Sequence, residues 1–349
     1  MSGIEEIVGY LRDYDGPSIR LMEVCGTHTA EITRNGIPSM LSDRIRLISG
    51  PGCPVCVTVT AVIDRLITLA REENTTVLTF GDLMRVPGSG GSLASAKAEG
   101  ASVDFVYAPA DVLDLAEKAP EKQFVFAAVG FETTAPVYAM LLADAVARGI
   151  HNVRLVTSLK TMPEAIRYVA KNAVEPIDGF LAPGHVCAVT GCADYARLAD
   201  ELRIPFVVSG FGGEELLCAI YALVRMRGQA LMRNLYPAVV RTDGNRRAQE
   251  AVARFFEPGD ASWRGMGTIP GSGLYLREEY ESFDAGGREL VEDRIPVGCR
   301  CGEVLTGSIP PSACPMFGTA CTPDHPHGAC MVSAEGSCCS WYTGSRRED

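Results

Sequence analysis

The sequence is short of several things, and each shortage narrows what it can do. Aromatic residues make up 7%, only two are tryptophan, and no basic stretch carries interleaved aromatics. Lys and Arg number 32 against 43 Asp and Glu, so the formal net charge is −11. Without a basic face to neutralise phosphates, nucleic acid is not the expected partner. Long apolar runs are missing too. The most apolar stretch, 137–147, is broken by Asp144 and falls well short of the ~20 residues that span a bilayer. No membrane partner is expected. The opening MSGIEEIVGYLRDYDG has no basic n-region or long apolar core, and reads as a short amphipathic helix instead of a signal peptide. The expected compartment is the cytoplasm, where structural disulfides are rare.

Cysteine is plentiful. A chain of 349 residues, 47% hydrophobic and 21% charged, can bury a core without staples, so its 13 cysteines need another explanation. Clustered cysteines in a reducing compartment are ligands or redox groups more often than packing residues.

From residue 19 to about 240, compact apolar runs alternate with Ala/Leu-rich helical stretches. Strands are predicted at 20–24, 45–49, 76–80, 124–129, 153–157, 177–181 and 205–209. Their both-sided apolarity and the β/α alternation imply parallel α/β architecture. The loops that follow read VCGTHT, SGPGCPVC, FGDLMRVPG, VGFETTAP, APGHVCAVTG and SGFGGEE. Ligands of open α/β sheets bind beyond the carboxyl ends of strands, where these loops lie. A predicted helix at 246–256 leads into a Gly-, Pro- and Cys-rich tail holding seven of the cysteines, from Cys299 to Cys339. The expected division is a first α/β segment over 1–145, a second over 146–245, with the chain free to cross between them, and a cysteine-rich domain over 246–349.

Within the tail, Cys299, Cys314, Cys321 and Cys338 are separated by 14, 6 and 16 residues. Four thiolates suit a cubane iron–sulfur cluster or a zinc ion. Zinc ribbons use two CxxC pairs, and this tail has none, only CxC at Cys299 and Cys301 and the adjacent Cys338 and Cys339. Both metals stay open on spacing alone. Cys301 and Cys330 are candidates for a redox pair near the cluster.

Three further cysteines lie early. Cys25 sits in MEVCGTHT, with Thr27 placed to cap the next helix and His28 three residues on. A Cys/His pair can bind a metal or activate a thiolate. Cys53 and Cys56 form CPVC in a Gly/Pro loop before a helix expected from about Val59, where backbone N–H groups would lower a thiol pKa. One thiolate of such a pair attacks and the other resolves; half of a zinc site is the bland alternative. Glu132 in GFETTAP could be an acid/base or a helix N-terminal charge. His185 in PGHVC could face the cleft or be a satisfied structural histidine. Asp82 in FGDLMR is equally open. Cys187, Cys192 and Cys218 read as packing residues, and His325 and His327 as solvent-facing.

MEVCGTHT, GPGCPVCVT, GFETTAP, the PGHV loop and the tail CGEVLTG…CPMFGTACTPDHPHGACMVSAEGSC, in this order over nearly the whole chain, resemble the HypD family of hydrogenase-maturation proteins. The resemblance implies two similar Rossmann-like α/β domains facing a cleft and a C-terminal [4Fe-4S] domain. It implies assembly of the Fe(CN)2CO unit of [NiFe]-hydrogenase with a small HypC-type chaperone and with HypE. By resemblance Cys25 matches the iron-binding thiol and Cys53/Cys56 the redox pair. Cys299, Cys314, Cys321 and Cys338 match the cluster ligands, and Cys301/Cys330 the thiol pair beside them. His28, Glu132 and His185 fall in family motifs. Cys187 is not expected of the family. Two rival classes are an iron–sulfur thiol/disulfide oxidoreductase acting on other proteins and a zinc-stabilised hydrolase using Cys25 and His28.

Overall fold

Runs such as Gly179–Ala182 and Phe206–Val208 are buried at every residue, which requires cover on both faces of a sheet. The computed structural model describes residues 3–345, and supplies that cover with helices. Its strands, in chain order, are β1 (Ile19–Glu23), β2 (Ile45–Ser49), β3 (Thr75–Thr79), β4 (Val103–Phe105), β5 (Gln123–Gly130), β6 (Val153–Lys160), β7 (Gly179–Ala182), β8 (Phe206–Val208), β9 (Met232–Asn234), β10 (Phe256–Trp263) and β11 (Gly267–Leu276).

They form two sheets. The first has the order β2-β1-β7-β8-β9 and is parallel throughout. The second has the order β10-β11-β6-β5-β3-β4, with β6, β5, β3 and β4 parallel and β10 and β11 antiparallel. The fold is α/β with parallel sheets, consistent with Rossmann-like units. Among the described residues no helix is long and apolar enough to cross a membrane.

The chain crosses between the two sheets more than once. β1 and β2 belong to the first sheet, the chain crosses to lay β3 through β6 in the second, returns for β7 through β9, and crosses again for β10 and β11. The cause is pairing: the β1 backbone bonds to β7 on its other side, and β6 bonds to β11. The 246–349 segment therefore begins inside the second sheet. Residues 1–2 and 346–349 of the outer segments lie outside the described residues.

Strand order reverses between β1 and β7 in the first sheet, and between β3 and β5 in the second. Such switch points open a crevice at the carboxyl edge. The loops flanking the first carry Cys25 and His185; those flanking the second carry Asp82 and Glu132.

The β10–β11 hairpin went unpredicted because its Pro258, Gly259, Pro270 and Gly271 read as loop. Pro258 is tolerated because β10 is the sheet's edge. The hairpin's turn docks on the tail backbone to backbone. A Cβ on Gly302 would lie 2.3 Å from the Gly265 carbonyl oxygen. Gly302→Ala is expected to push hairpin and tail apart and cost about 1–3 kcal/mol. A lower urea midpoint with an unchanged m-value would register this, whereas a midpoint equal to wild type would mean the contact does not hold the tail.

Candidate functional site

Cys25 ends the turn after β1 and is the N-cap of the helix Gly26–Arg34, with extended backbone. Its own N–H donates to Glu23 Oε2 at 3.0 Å, and the Thr29 hydroxyl donates to Glu23 Oε1. Glu23 is buried, and burial lifts its carboxyl to about 7 against the pull of those donors. Burial also pushes the Cys25 thiol up to about 12, with the His28 and Thr27 amides pulling weakly the other way. The thiol therefore stays protonated at neutral pH until a metal or another electrophile takes the proton's place.

His28 does not serve Cys25. Its Nε2 lies 3.1 Å from the Gly210 carbonyl oxygen, its Nδ1 has no partner, and its ring packs on Phe211 with centroids 4.7 Å apart. Burial drops its pKa to about 4, so the ring is neutral. On the other side of Phe211 stacks the exposed His185, at 4.0 Å. Thr27, expected as the cap, donates instead to Glu335 Oε1 at 2.6 Å.

The CPVC loop lies directly against this turn. Gly26 N–H donates to Gly52 O at 2.9 Å, and a Cβ on Gly52 would sit 2.4 Å from the Cys25 nitrogen. Cys53 Sγ accepts from the Cys56 amide at 3.3 Å. The next helix starts at Thr60, four residues beyond Cys56, so the expected N-terminal lowering of its pKa does not occur. Burial raises the Cys56 thiol well above its ordinary value, aided by hydrogen bonds with Cys330 and Cys53. Beside Cys53, a cavity of about 780 Å³, counting space open to solvent, occupies the second sheet's switch point. Asp82, Thr134, Ser333 and Glu335 line it, and Ser333 Oγ donates to Asp82 Oδ2 at 2.9 Å.

From Cys56 the sulfurs continue into the tail. A Cβ on Gly336 would meet Cys56 Sγ at 3.0 Å and the Cys330 carbonyl oxygen at 2.2 Å. Hydrogen bonds from Cys338 and Cys56 hold the Cys330 sulfur low, and one from Cys301 holds Cys299 at about 7. Cys299, Cys301, Cys314, Cys321, Cys330 and Cys338 all line one small pocket, walled by Met316, Phe317 and Met331. Among the described residues no three Cys, His, Asp or Glu groups converge closely enough to hold a single metal ion. The sulfurs ring a space instead of meeting at a point. Soft donors around an apolar space could take a zinc ion or an iron–sulfur group.

The chain is similar to known proteins over nearly its whole length. The HypD family description, "Hydrogenase formation hypA family", matches residues 3–345. Hydrogenase maturation factor HypD of Escherichia coli K12 is 41% identical over 339 residues, 95% of this chain and 90% of its own length. The HypD of Rhizobium leguminosarum bv. viciae is 43% identical over 345 residues, with 95% and 90% covered. The hydrogenase expression/formation protein HupD of Azotobacter chroococcum is 41% identical over 340 residues, with 94% and 90% covered. The chain belongs to the HypD family.

Within this HypD-family chain, Glu23, Phe211, Arg264 and Glu335 escaped the sequence reading. Glu335 had a signal, lying between Cys330 and Cys338. Arg264 had none: it sits in the unpredicted hairpin, fully buried, donating to the Pro87 and Thr58 carbonyls at 3.2 and 3.4 Å, with Asp293 4.0 Å away. Its charge helps to hold down the Cys299 and Cys330 sulfurs. Cys187 and Cys192 are core residues, Cys218 is half-buried, and His325 and His327 are exposed.

Glu132 caps a helix N-terminus, but of a different helix from the one after it. Its Oε1 accepts from Met162 N at 2.8 Å, at the start of Met162–Asn172, while Oε2 is buried without a partner. Burial, partly offset by the Met162 amide, raises its pKa from 4.5 to about 7. The raised native value means the group's stabilising contribution is complete below pH 4.5 and is lost as pH climbs through 7. Glu132→Gln is thus expected to gain on wild type by about 3 kcal/mol across that window. Urea denaturation of both proteins at its two ends measures this, and a constant difference would mean that Glu132 ionises freely.

Proposed function

We propose that this chain is a scaffold and thiol-redox protein that builds the Fe(CN)2CO unit of [NiFe]-hydrogenase in the cytoplasm, working with a HypC-type chaperone and HypE. The observation that carries the reading is the chain of contacts that joins the cysteine-bearing loops. It runs from the Cys25 turn, across Gly52 to Cys53 and Cys56, then to Cys330 and the six-cysteine pocket.

Cys25 receives the iron, which is cargo. Its buried thiol keeps its proton until iron binds the sulfur and displaces that proton to solvent, so the free protein resists stray electrophiles. Cys53 and Cys56 cycle between dithiol and disulfide, passing two electrons and two protons to the cyanide-donor group carried by HypE as the S–S bond forms. Cys330 then attacks Cys56 Sγ, and Cys53 leaves as thiolate. Attack by Cys301 on Cys330 Sγ frees Cys56 and leaves a Cys301–Cys330 disulfide. Cys299, Cys314, Cys321 and Cys338 would hold the [4Fe-4S] cluster, which when bound would supply electrons one at a time to reduce that disulfide, each of its sulfurs taking up a proton. The apolar walls of Met316, Phe317 and Met331 keep water from that pocket. His185, exposed on its Phe211 platform, orders the mouth of the Cys25 turn.

The zinc-hydrolase alternative loses its support because the His28 ring is turned to Gly210 and Phe211. Cys25→Ala is expected to keep the visible absorption of the tail cluster but to lose the cyanide and carbonyl infrared bands of material co-purified anaerobically with its HypC-type partner. Bands at full strength in that variant would remove Cys25 as the ligand, and zinc in place of iron in wild type would overturn the whole reading.

A further inference from the structure

We propose that the stretch 232–249, on the rim beside the Cys25 turn, is the docking surface for a partner protein with an acidic face. The inference rests on the scaffold function proposed above.

The stretch reads MRNLYPAVVRTDGNRRAQ and carries Arg233, Arg241, Arg246 and Arg247 against a single acid, Asp243, in a chain of net charge −11. All four arginines are exposed. None of them has a carboxylate partner among the described residues, whereas Arg148, Arg167, Arg288, Arg294 and others are paired. The stretch is built as one surface. β9 is the outer strand of the first sheet, Asn234 Nδ2 reaches back to the Val240 carbonyl at 2.8 Å, and Gln249 Nε2 donates to Asp243 O at 2.8 Å. It touches the site directly, since the Tyr236 ring meets Phe211 edge-on at 6.2 Å, and Phe211 carries His185 and His28.

Between the arginines lie Leu235 and Val239, 39% and 46% exposed. A small anion would draw the guanidinium groups together and leave these side chains wet. A protein face covers both, and unpaired arginine beside exposed aliphatic residues is the composition of an interface. The acidic remainder of the chain repels an acidic partner, so this rim sets where such a partner lands and turns it toward Cys25.

The test uses the full chain and, separately, the HypC-type and HypE proteins of the same organism, with association followed by stopped-flow at about 50 and about 300 mM salt. The triple variant R241E/R246E/R247E removes no intramolecular hydrogen bond or ion pair found here. It is expected to slow association with one of the two partners at least about tenfold at low salt, with dissociation changed less than about threefold. Arg12→Glu, far along the chain and paired only with its neighbour Asp13, is the control and should change neither rate. Association of the triple variant within twofold of wild type for both partners would overturn the proposal. So would a wild-type dimer in analytical ultracentrifugation that the variant abolishes, since the surface would then serve self-association. If wild type binds neither protein, this proposal and the scaffold function fall together.

Discussion

Three close approaches that only glycine permits hold the sulfur-bearing loops together. Gly52 lies flat on the backbone of Cys25, Gly336 lies between the Cys330 carbonyl and Cys56 Sγ, and Gly302 lies on the hairpin turn at Gly265. At each, a methyl group would fall 2.2–2.4 Å from a backbone atom. Loops from three parts of the chain can thus touch through main chain, which leaves their side chains free to point at one another. Hydrogen bonds then lock the contacts: Gly26 to Gly52, Thr27 to Glu335, Ser333 to Asp82. The four residues Ser333 to Gly336 reach the Cys25 helix, the CPVC loop and Cys330 at once. They stand between the cysteine-lined pocket and the two early thiol loops.

Burial governs the chemistry of these thiols more than helix dipoles do. The capping geometry of Cys25, at the head of Gly26–Arg34, would lower the pKa of an exposed thiol. Here desolvation wins, because the protein offers the anion only two amides and places Glu23 and Glu335 nearby. Two of the tail sulfurs, Cys299 and Cys330, behave differently because they have neighbouring thiols and Arg264. Thiol donors and a buried guanidinium favour the anionic form at Cys299 and Cys330. The protein thus keeps Cys25 and Cys56 closed and Cys299 and Cys330 ready.

Much of this was legible in the sequence. The buried strands announced themselves because interior parallel strands are apolar at every position, and β2 and β6 begin at the residues their apolar runs predict. The chemistry-bearing loops were legible because strand ends in such sheets carry function and their Cys, His, Gly and Pro residues are unusual together. Long-range pairing was not legible. Nothing local in β1 says that its second neighbour is β7, 158 residues away in number (Leu21 pairs with Gly179) but adjacent in space. Side-chain direction was equally hidden: His28 lies three residues from Cys25, yet the helix turns its ring toward Gly210. The hairpin was hidden because its prolines and glycines imitate loop, and Arg264 was hidden with it.

The interleaved topology has a chemical consequence that a simple tandem of sheets would lack. Cys25 follows β1 and CPVC follows β2, on neighbouring strands, so register alone brings the two loops side by side. CPVC is also the start of the first crossover, since the helix Thr60–Ala70 that follows packs under β3 and β6 of the other sheet. The dithiol therefore belongs to the connection, tied to Cys25 through Gly52 on one side and to the second sheet's crevice through Cys53 on the other. Had each sheet been made from consecutive chain, the Cys25 and His185 loops could still share a switch point, but the dithiol would sit inside one sheet's own loops. By crossing after β2, the chain puts its one CxxC where the crevices of both sheets and the cysteine-rich tail meet.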